Sequence, residues 1–128
     1  GVVVSFATGS SWGVWALGMP IALPMANAMG IPLTLAIGAV VSGGLFGDHC
    51  SPISDTTIQS STSACCDHLQ HVKTQLPYAL TVGISSLIGF LFAGLVAPVL
   101  ALPVTLVCII AALLVMKNIS RKRAAVAA

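Results

Sequence analysis

The sequence predicts an all-α membrane protein, built from a re-entrant hairpin arm, a discontinuous transmembrane helix and two further transmembrane helices. Hydrophobic residues make up 57% of the chain and charged residues only 6%, far from the roughly 25% charged residues of an ordinary soluble domain. Two long runs, residues 1–47 and 74–116, contain no charged residue. Since one span needs about 20 apolar residues, the second run holds two helices and the first holds one, with room for a partial segment.

A basic cluster follows the last apolar run. It consists of Lys117, Arg121, Lys122 and Arg123. Such a cluster next to a span is typical of a cytoplasmic anchor, so residues 117–128 are predicted to be a basic cytoplasmic tail, and no nucleic-acid partner is expected. The chain opens on GVVVSFATGSSWG without a basic start. No signal peptide is therefore predicted, and the chain is expected to be part of a longer membrane protein.

Residues 1–30 are predicted to form one arm of a re-entrant hairpin. A small polar stretch, ATGSSWG at residues 7–13, precedes an apolar run that reaches Gly30 and contains two prolines. That order fits a hairpin whose tip lies inside the membrane, where irregular backbone persists only if protein or a watery cavity satisfies its amides.

Residues 31–66 are predicted to form a helix that is interrupted near the middle of the membrane. Pro32 falls in the first turn, where a missing N–H does no harm. Three glycines, Gly43, Gly44 and Gly47, are expected to weaken the helix before the interruption.

The interruption itself is the stretch GDHCSPISDTT at residues 47–57, which places two carboxylates, a histidine, a thiol and four hydroxyls between apolar runs. Its proline stops a helix, so we expect a non-helical break within about three residues of positions 50–54. A second half-helix of about ten residues, roughly 15 Å long, then follows.

The polar stretch DHLQHVKTQ at residues 67–75 is predicted to lie at the membrane interface. Asp67 is expected to cap a helix, with Gln70 in the capping-box position. Two spans, at residues 76–97 and 98–116, complete the chain before its tail.

The basic residues predict an orientation for this partial domain, residues 1–117. If the C-terminal tail is cytoplasmic, Lys73 with the neighbouring His68 and His71 faces the cytosol too, as basic residues prefer. The two polar breaks then fall at about the same depth in the membrane.

The interruption is predicted to be a cation site. A bare carboxylate at the bilayer centre costs at least about 2.5 kcal/mol, so intramembrane acids are functional candidates. Interrupted helices add freed carbonyls and dipole ends, which secondary transporters use to bind Na⁺. The candidate oxygen ligands in the break are Asp48, Asp55, Ser51, Ser54, Thr56 and Thr57. The hairpin tip adds Thr8, Ser10 and Ser11. No catalytic residue is predicted, so the chain is not expected to be an enzyme.

Several of these residues have a second interpretation. Asp55 could only cap the half-helix, and Asp48 could form a turn after Gly47. His49 could relay protons or serve as a hydrogen-bond partner. The tip hydroxyls could stabilise the hairpin without binding an ion.

A soft-metal site is the rival arrangement. Its ligands would be Cys65, Cys66, His68 and His71. Adjacent cysteines rarely both reach one zinc ion, and these residues are expected at the cytoplasmic end, away from the interruption. The oxygen site is therefore preferred.

The stretch GDHCSPISDTTIQSSTSACCDHLQHVKTQLPYAL, residues 47–80, resembles the signature of the NhaC family of Na⁺/H⁺ antiporters, and ATGSSWG resembles that family's Thr-Gly-Thr-Ser-Trp-Gly motif. The resemblance covers Phe6 to about Leu80, and one departure, Ser10 where threonine is common, keeps the hydroxyl. The resemblance implies two inverted repeats, each with a re-entrant hairpin and a broken helix, of which this chain would be the second.

The resemblance also implies a function, cation-coupled secondary transport, with Na⁺/H⁺ antiport across the cytoplasmic membrane as the favoured activity. Na⁺ would bind at Asp48 and Asp55 when they are ionised and H⁺ when they are neutral, with no cofactor. A Na⁺/H⁺-coupled organic-anion exchanger of the malate/lactate type and a truncated, non-transporting fragment stay open as alternatives. The implied partners are the lipid bilayer and the missing N-terminal repeat, and a homodimer stays open.

Overall fold

The structure, a computed structural model, describes the backbone of residues 1–127 and the side chains of residues 1–100 and 102–118. Within these residues the elements are α1 (Val2–Thr8), α2 (Ser11–Ala28), α3 (Leu33–Cys50), α4 (Asp55–Ser63), α5 (His68–Leu95), a 3₁₀-helix (Pro98–Leu100) and α6 (Ala101–Ala127). The described residues contain no strand, and the all-α prediction is confirmed.

Among the residues that the structure describes, three segments are long and apolar enough to cross a membrane. They are α3, α5 and the segment Pro98–Asn118. Of the basic cluster, Lys117 is exposed, and the side chains of the other three residues lie outside the described part of the chain. The chain divides into two compact units, Gly1–Leu80 and Thr81–Ala128.

In the first unit, a helix lies on each side of the polar stretch at residues 7–13. α1 ends at Thr8, the following Gly9 has a φ of 67° in the left-handed region, and Ser10 is extended before α2 begins. Glycine adopts such a backbone without the steric penalty of a side chain. The predicted hairpin tip is therefore a break between two helices, and its re-entrant course stays a prediction.

α1 packs closely against α3 because α3 presents glycines to it. The Ser5 hydroxyl donates a buried hydrogen bond of 2.6 Å to the Gly44 carbonyl. A Cβ atom added to Gly47 would lie 2.7 Å from Ser5 Cβ and 2.9 Å from the Phe6 backbone nitrogen. α3 continues through these glycines to Cys50, and the expectation that they weaken the helix stays a prediction. Their lack of a side chain allows two backbones to approach.

The predicted break of the long helix is confirmed. α3 ends at Cys50, residues 51–54 are not helical, and α4 begins at Asp55. Pro52 lies inside the break, where it removes a backbone donor and cannot continue α3.

α4 is nine residues long and ends in a tight turn. The Cys66 backbone N–H donates to the Ser61 carbonyl at 3.1 Å, and Cys65 has a φ of 50°. This six-to-one bond around a left-handed residue is the Schellman arrangement of helix ends. The turn reverses the chain, so α5 begins beside the end of α4.

The N-cap predicted for α5 is confirmed, because the Asp67 carboxylate accepts a hydrogen bond of 2.8 Å from the Gln70 backbone N–H. α5 then runs without interruption from His68 to Leu95 and includes Pro77. The polar stretch at residues 67–75 is therefore continuous with the span that was predicted to begin at residue 76.

The second unit contains the later part of α5, the 3₁₀-helix and α6. The chain turns between Leu95 and Pro98, as the sequence predicts. The Thr81 hydroxyl donates to Met116 Sδ at 3.4 Å, which links α5 to α6.

Candidate cation site

A buried carboxylate joins the two half-helices across the break. Asp48, in the last turn of α3, is only 5% exposed. Its Oδ1 accepts a hydrogen bond of 2.7 Å from the Ser54 hydroxyl, and its Oδ2 accepts one of 3.3 Å from the Thr56 hydroxyl. The two hydroxyl oxygens lie 2.8 Å apart. Four oxygen atoms therefore converge within hydrogen-bonding distance of one another.

Asp48 has no positively charged partner among the described residues. Burying an ionised carboxylate without such a partner is unfavourable, and two hydroxyl donors offset only part of the cost. A proton on the carboxylate or a bound cation beside it would remove the imbalance. The surroundings of Asp48 thus suit a carboxylate that binds either a proton or a metal cation and exchanges one for the other.

The buried face of α4 is lined by hydroxyls. Ser54, Thr57 and Ser61 are all buried and recur at intervals of three and four residues, which places them on one side of the helix. Thr57 Oγ1 has no hydrogen-bond partner in the described part of the chain. A buried oxygen of this kind calls for an explanation, and a bound ion is one.

Ser51 is the other fully buried hydroxyl of the break. Its Oγ accepts only a long hydrogen bond of 3.4 Å, from the Ile53 backbone N–H, so lone-pair capacity is left over. Carboxylate, hydroxyl and carbonyl oxygens are the ligands that hard cations prefer. The residues present therefore fit a small cation such as Na⁺, here the transported ion rather than a resident cofactor.

Two predicted residues of the break, Asp55 and His49, are not brought into this cluster. Asp55 is exposed, and its side chain makes no hydrogen bond within the described residues. It is the first residue of α4, where a negative charge stabilises a helix; the N-cap itself is Ser54, so the interpretation of Asp55 as the cap is wrong. The His49 side chain is exposed as well.

The polar stretch at residues 7–13 meets the break in α3–α4. A Cβ atom added to Gly9 would lie 2.7 Å from the Ile53 carbonyl oxygen, so the two irregular segments are in contact. Of the three tip hydroxyls, Ser11 is buried and Ser10 half-buried. Thr8 is exposed, and its hydroxyl donates to the Val4 carbonyl at 2.8 Å within α1.

The rival soft-metal site is not formed, because the described residues contain no group of three or more histidine, cysteine or acidic side chains that could hold a metal ion. His68 instead contacts the break: Nε2 lies 2.6 Å from the Pro52 carbonyl oxygen and Nδ1 lies 3.1 Å from the Ser61 hydroxyl. Gln75 Nε2 donates to the His49 carbonyl at 3.2 Å. The sequence analysis missed both roles, although the seven-residue spacing places His68 and Gln75 on one helix face.

Comparison with known proteins gives consistent matches. Residues 1–95 match the sequence model of a family described as the Na⁺/H⁺ antiporter family. An uncharacterised protein of Haemophilus influenzae is 50% identical over 95 residues, which are 73% of this chain and 18% of that protein. The malate-2H(+)/Na(+)-lactate antiporter of Bacillus subtilis is 36% identical over 97 residues, 72% of this chain and 21% of that protein. The Na(+)/H(+) antiporter NhaC of Alkalihalophilus pseudofirmus is 35% identical over 94 residues, 73% and 20% of the two chains.

The matched region extends further than the motifs suggested. It reaches residue 95 and so includes all of α5, whereas the resemblance ended near Leu80, and α6 lies outside it. The chain spans about a fifth of the length of the curated relatives it matches. No solved structure was found to match the chain.

Proposed function

Because this chain belongs to the Na⁺/H⁺ antiporter family, we propose that it carries the cation site of an antiporter that exchanges Na⁺ for H⁺ across the cell membrane. The resemblance to NhaC proteins is confirmed by the relatives of that name. The observation that carries the proposal is the burial of Asp48 among hydroxyl groups, without a cationic partner among the described residues.

In this mechanism Asp48 binds one positive species at a time. When the carboxylate is ionised it attracts Na⁺, and the oxygens of Ser54 and Thr56 supply lone pairs while their protons still point to the carboxylate. When the carboxylate takes up a proton, the charge that holds Na⁺ is lost. Na⁺ and H⁺ therefore compete for one site, and competition on both sides of the membrane produces exchange.

The ends of the half-helices support a cation at this position. Asp48 lies in the last turn of α3, and the C-terminal end of a helix carries partial negative charge. Ser51 and Thr57 offer further oxygens from buried positions. We propose these residues as ligands, with the half-buried Ser10 and the buried Ser11 as candidates from the neighbouring break.

Asp55 and Thr8 are also proposed as cation ligands, but fewer observations support them. Both are exposed, and the Thr8 hydroxyl is already bonded within α1. Asp55 adds a second negative charge at the break, which attracts cations even without direct contact. His49, also exposed, stays a predicted proton relay.

Organic-anion exchange is the second candidate, favoured by the match to the malate-2H(+)/Na(+)-lactate antiporter. Asp48 and Asp55 place negative charge at the break, and like charge disfavours a carboxylate substrate there. In such an exchanger this break would bind the coupling cation, and the organic anion would bind elsewhere.

The complete transporter is proposed to be longer than this chain, since the matched region covers only 20–21% of the length of these relatives. Residues 1–117 would form the second of two inverted repeats embedded in lipid, with the first repeat completing the site, and a homodimer is one possible assembly. The basic residues favour a cytoplasmic C-terminus. Externally added thiol reagent should therefore fail to label a cysteine placed at Ala124 in intact cells, and strong labelling would reverse the proposed orientation.

The test of the proposed function is Na⁺-dependent proton movement by the complete transporter in proteoliposomes. Asp48→Asn keeps the shape of the side chain and removes its charge, so we expect exchange to be abolished, or the half-saturating Na⁺ concentration to rise by about 100-fold or more. Asp67→Asn is the matched control, because Asp67 caps α5 and asparagine caps equally well. Wild-type exchange by the Asp48→Asn protein would contradict the proposal.

A further inference from the structure

The break between α3 and α4 frees backbone carbonyls that a continuous helix would have bonded. Residues that end a helix need other donors for these carbonyls. Two of them, at His49 and Pro52, receive side-chain donors from α5, namely Gln75 Nε2 at 3.2 Å and His68 Nε2 at 2.6 Å. α5 therefore contacts the backbone in the last turn of α3 and inside the break.

The contact made by His68 is the shorter of the two and has a defined proton arrangement. A carbonyl oxygen can only accept, so Nε2 carries the proton in the bond to Pro52. Nδ1 faces the Ser61 hydroxyl at 3.1 Å, and that hydroxyl also lies 2.9 Å from the Ile58 carbonyl. One ring thereby connects the break to the far end of α4.

The Ser61 hydroxyl allows this contact to persist in either charge state of the ring. When the ring is neutral, Ser61 donates its single proton to Nδ1. When the ring is protonated, Nδ1 donates to Ser61, whose proton turns to the Ile58 carbonyl. In both states Nε2 keeps its hydrogen bond to the Pro52 carbonyl.

Pro52 lies between the two fully buried hydroxyl residues of the break, Ser51 and Ser54. Ser54 is the residue whose hydroxyl reaches Asp48 at 2.7 Å. A fixed Pro52 carbonyl restricts the backbone on both sides of it, and a shift of about 1 Å in a supporting group is enough to impair a binding site.

We propose that His68 is a positioning residue of the cation site: it holds the Pro52 carbonyl so that the Ser51 and Ser54 oxygens stay directed at the ion bound by Asp48. This inference rests on the proposed function and assigns a role to a residue outside the predicted ligand set. Gln75 supports the same break through His49, and His68 acts on the ion only through the backbone.

The experiment measures Na⁺-dependent exchange by the complete transporter in proteoliposomes with three variants. His68→Leu removes the donor, and we expect the half-saturating Na⁺ concentration to rise by about tenfold while the maximal rate changes by less than about twofold. His68→Gln replaces Nε2 with an amide donor of similar reach, and we expect it to restore most of the lost Na⁺ affinity. His71→Leu is the matched control, since the His71 side chain makes no hydrogen bond within the described residues, and it should behave as wild type.

Three outcomes would overturn the proposal: wild-type Na⁺ affinity in His68→Leu, a loss confined to its maximal rate, or a His68→Gln protein as impaired as His68→Leu. If His68→Leu fails to reach the membrane, His68→Gln with the affinity of wild type still supports the role, and His68→Gln with weakened affinity contradicts it. Asp48→Asn measured in the same preparation separates the two claims. If Asp48→Asn loses exchange while the His68 variants behave as wild type, only the role of His68 is refuted. If Asp48→Asn exchanges as wild type, the proposed function is refuted.

Discussion

The two compact units bury different kinds of side chain, although both are built from apolar helices. In Gly1–Leu80 the buried polar side chains outnumber the apolar ones, and they are Ser5, Ser11, Asp48, Ser51, Ser54, Thr57 and Ser61. In the described part of Thr81–Ala128 the buried side chains are Ser85 and Ala93. The first unit is organised around polar groups, and the second is not.

The two units differ in polar burial because helices are interrupted within the first unit, whereas the long helices of the second unit are continuous. A helix that crosses a membrane satisfies its own amides and needs no polar neighbour, which describes α6 and most of α5. α3 ends at Cys50 and α1 ends at Thr8, so the first unit must supply partners for freed backbone groups. Polar burial in a membrane protein therefore indicates where helices stop, and the sites where helices stop are where ions can bind.

The largest contrast between the units should come from adding a methyl group to a glycine in each. Gly47→Ala forces Cβ against α1, so we expect a loss of about 3 kcal/mol in stability. Gly94 has no atom within 4 Å of an added Cβ, and Gly94→Ala should leave stability unchanged or raise it by about 0.5 to 1 kcal/mol. Thermal unfolding of the two purified proteins in detergent measures the difference. Equal unfolding temperatures would show that α1 and α3 are not packed through Gly47.

A smaller effect is expected from removing one buried oxygen of the first unit. Thr57→Val keeps the shape of the side chain and deletes the unpartnered Oγ1, so we expect apparent Na⁺ affinity to weaken by about tenfold. Thr62→Val on the same helix is the control, because that exposed hydroxyl only donates to the Ile58 carbonyl. Exchange assays at graded Na⁺ concentrations compare the two. If both variants matched the wild type, Thr57 would be removed from the ligand set.

The smallest effect concerns the exposed acid. Asp55→Asn should weaken apparent Na⁺ affinity only a few-fold, because an exposed charge acts through solvent and is screened by salt. The loss should shrink further as ionic strength rises, which the same assay in added choline chloride would reveal. A loss as large as that of Asp48→Asn at all salt concentrations would instead place Asp55 in direct contact with the ion.

Local signals in the sequence predicted the main features of the first unit. Pro52 and the polar residues around it located the break, since an interior proline removes a backbone hydrogen bond and disfavours continuation of the helix. Asp67 was recognised as a cap from its position before a helical run. These predictions needed no knowledge of which helices pack together.

Features that depend on which helices pack together could not be predicted from the sequence. Gly44 and Gly47 lower helix propensity by about 1 kcal/mol each, and only the contact with α1 shows why they are accommodated. Asp48 and Asp55 were indistinguishable as candidates, and their burial differs because the last turn of α3 faces inward while the first residue of α4 faces out. His68 was considered only as an interfacial residue and as a ligand of the rival soft-metal site, because the turn that returns it to Pro52 could not be predicted.

The central claim, that Na⁺ and H⁺ compete for Asp48, is tested most directly by proton release. The purified complete transporter in a weakly buffered solution with a pH indicator receives Na⁺ at a pH where the site is largely protonated. We expect Na⁺ to displace protons from the wild-type protein, apparent Na⁺ affinity to weaken as pH falls, and Asp48→Asn to release no protons. Undiminished proton release by Asp48→Asn would show that Na⁺ and H⁺ do not compete for Asp48.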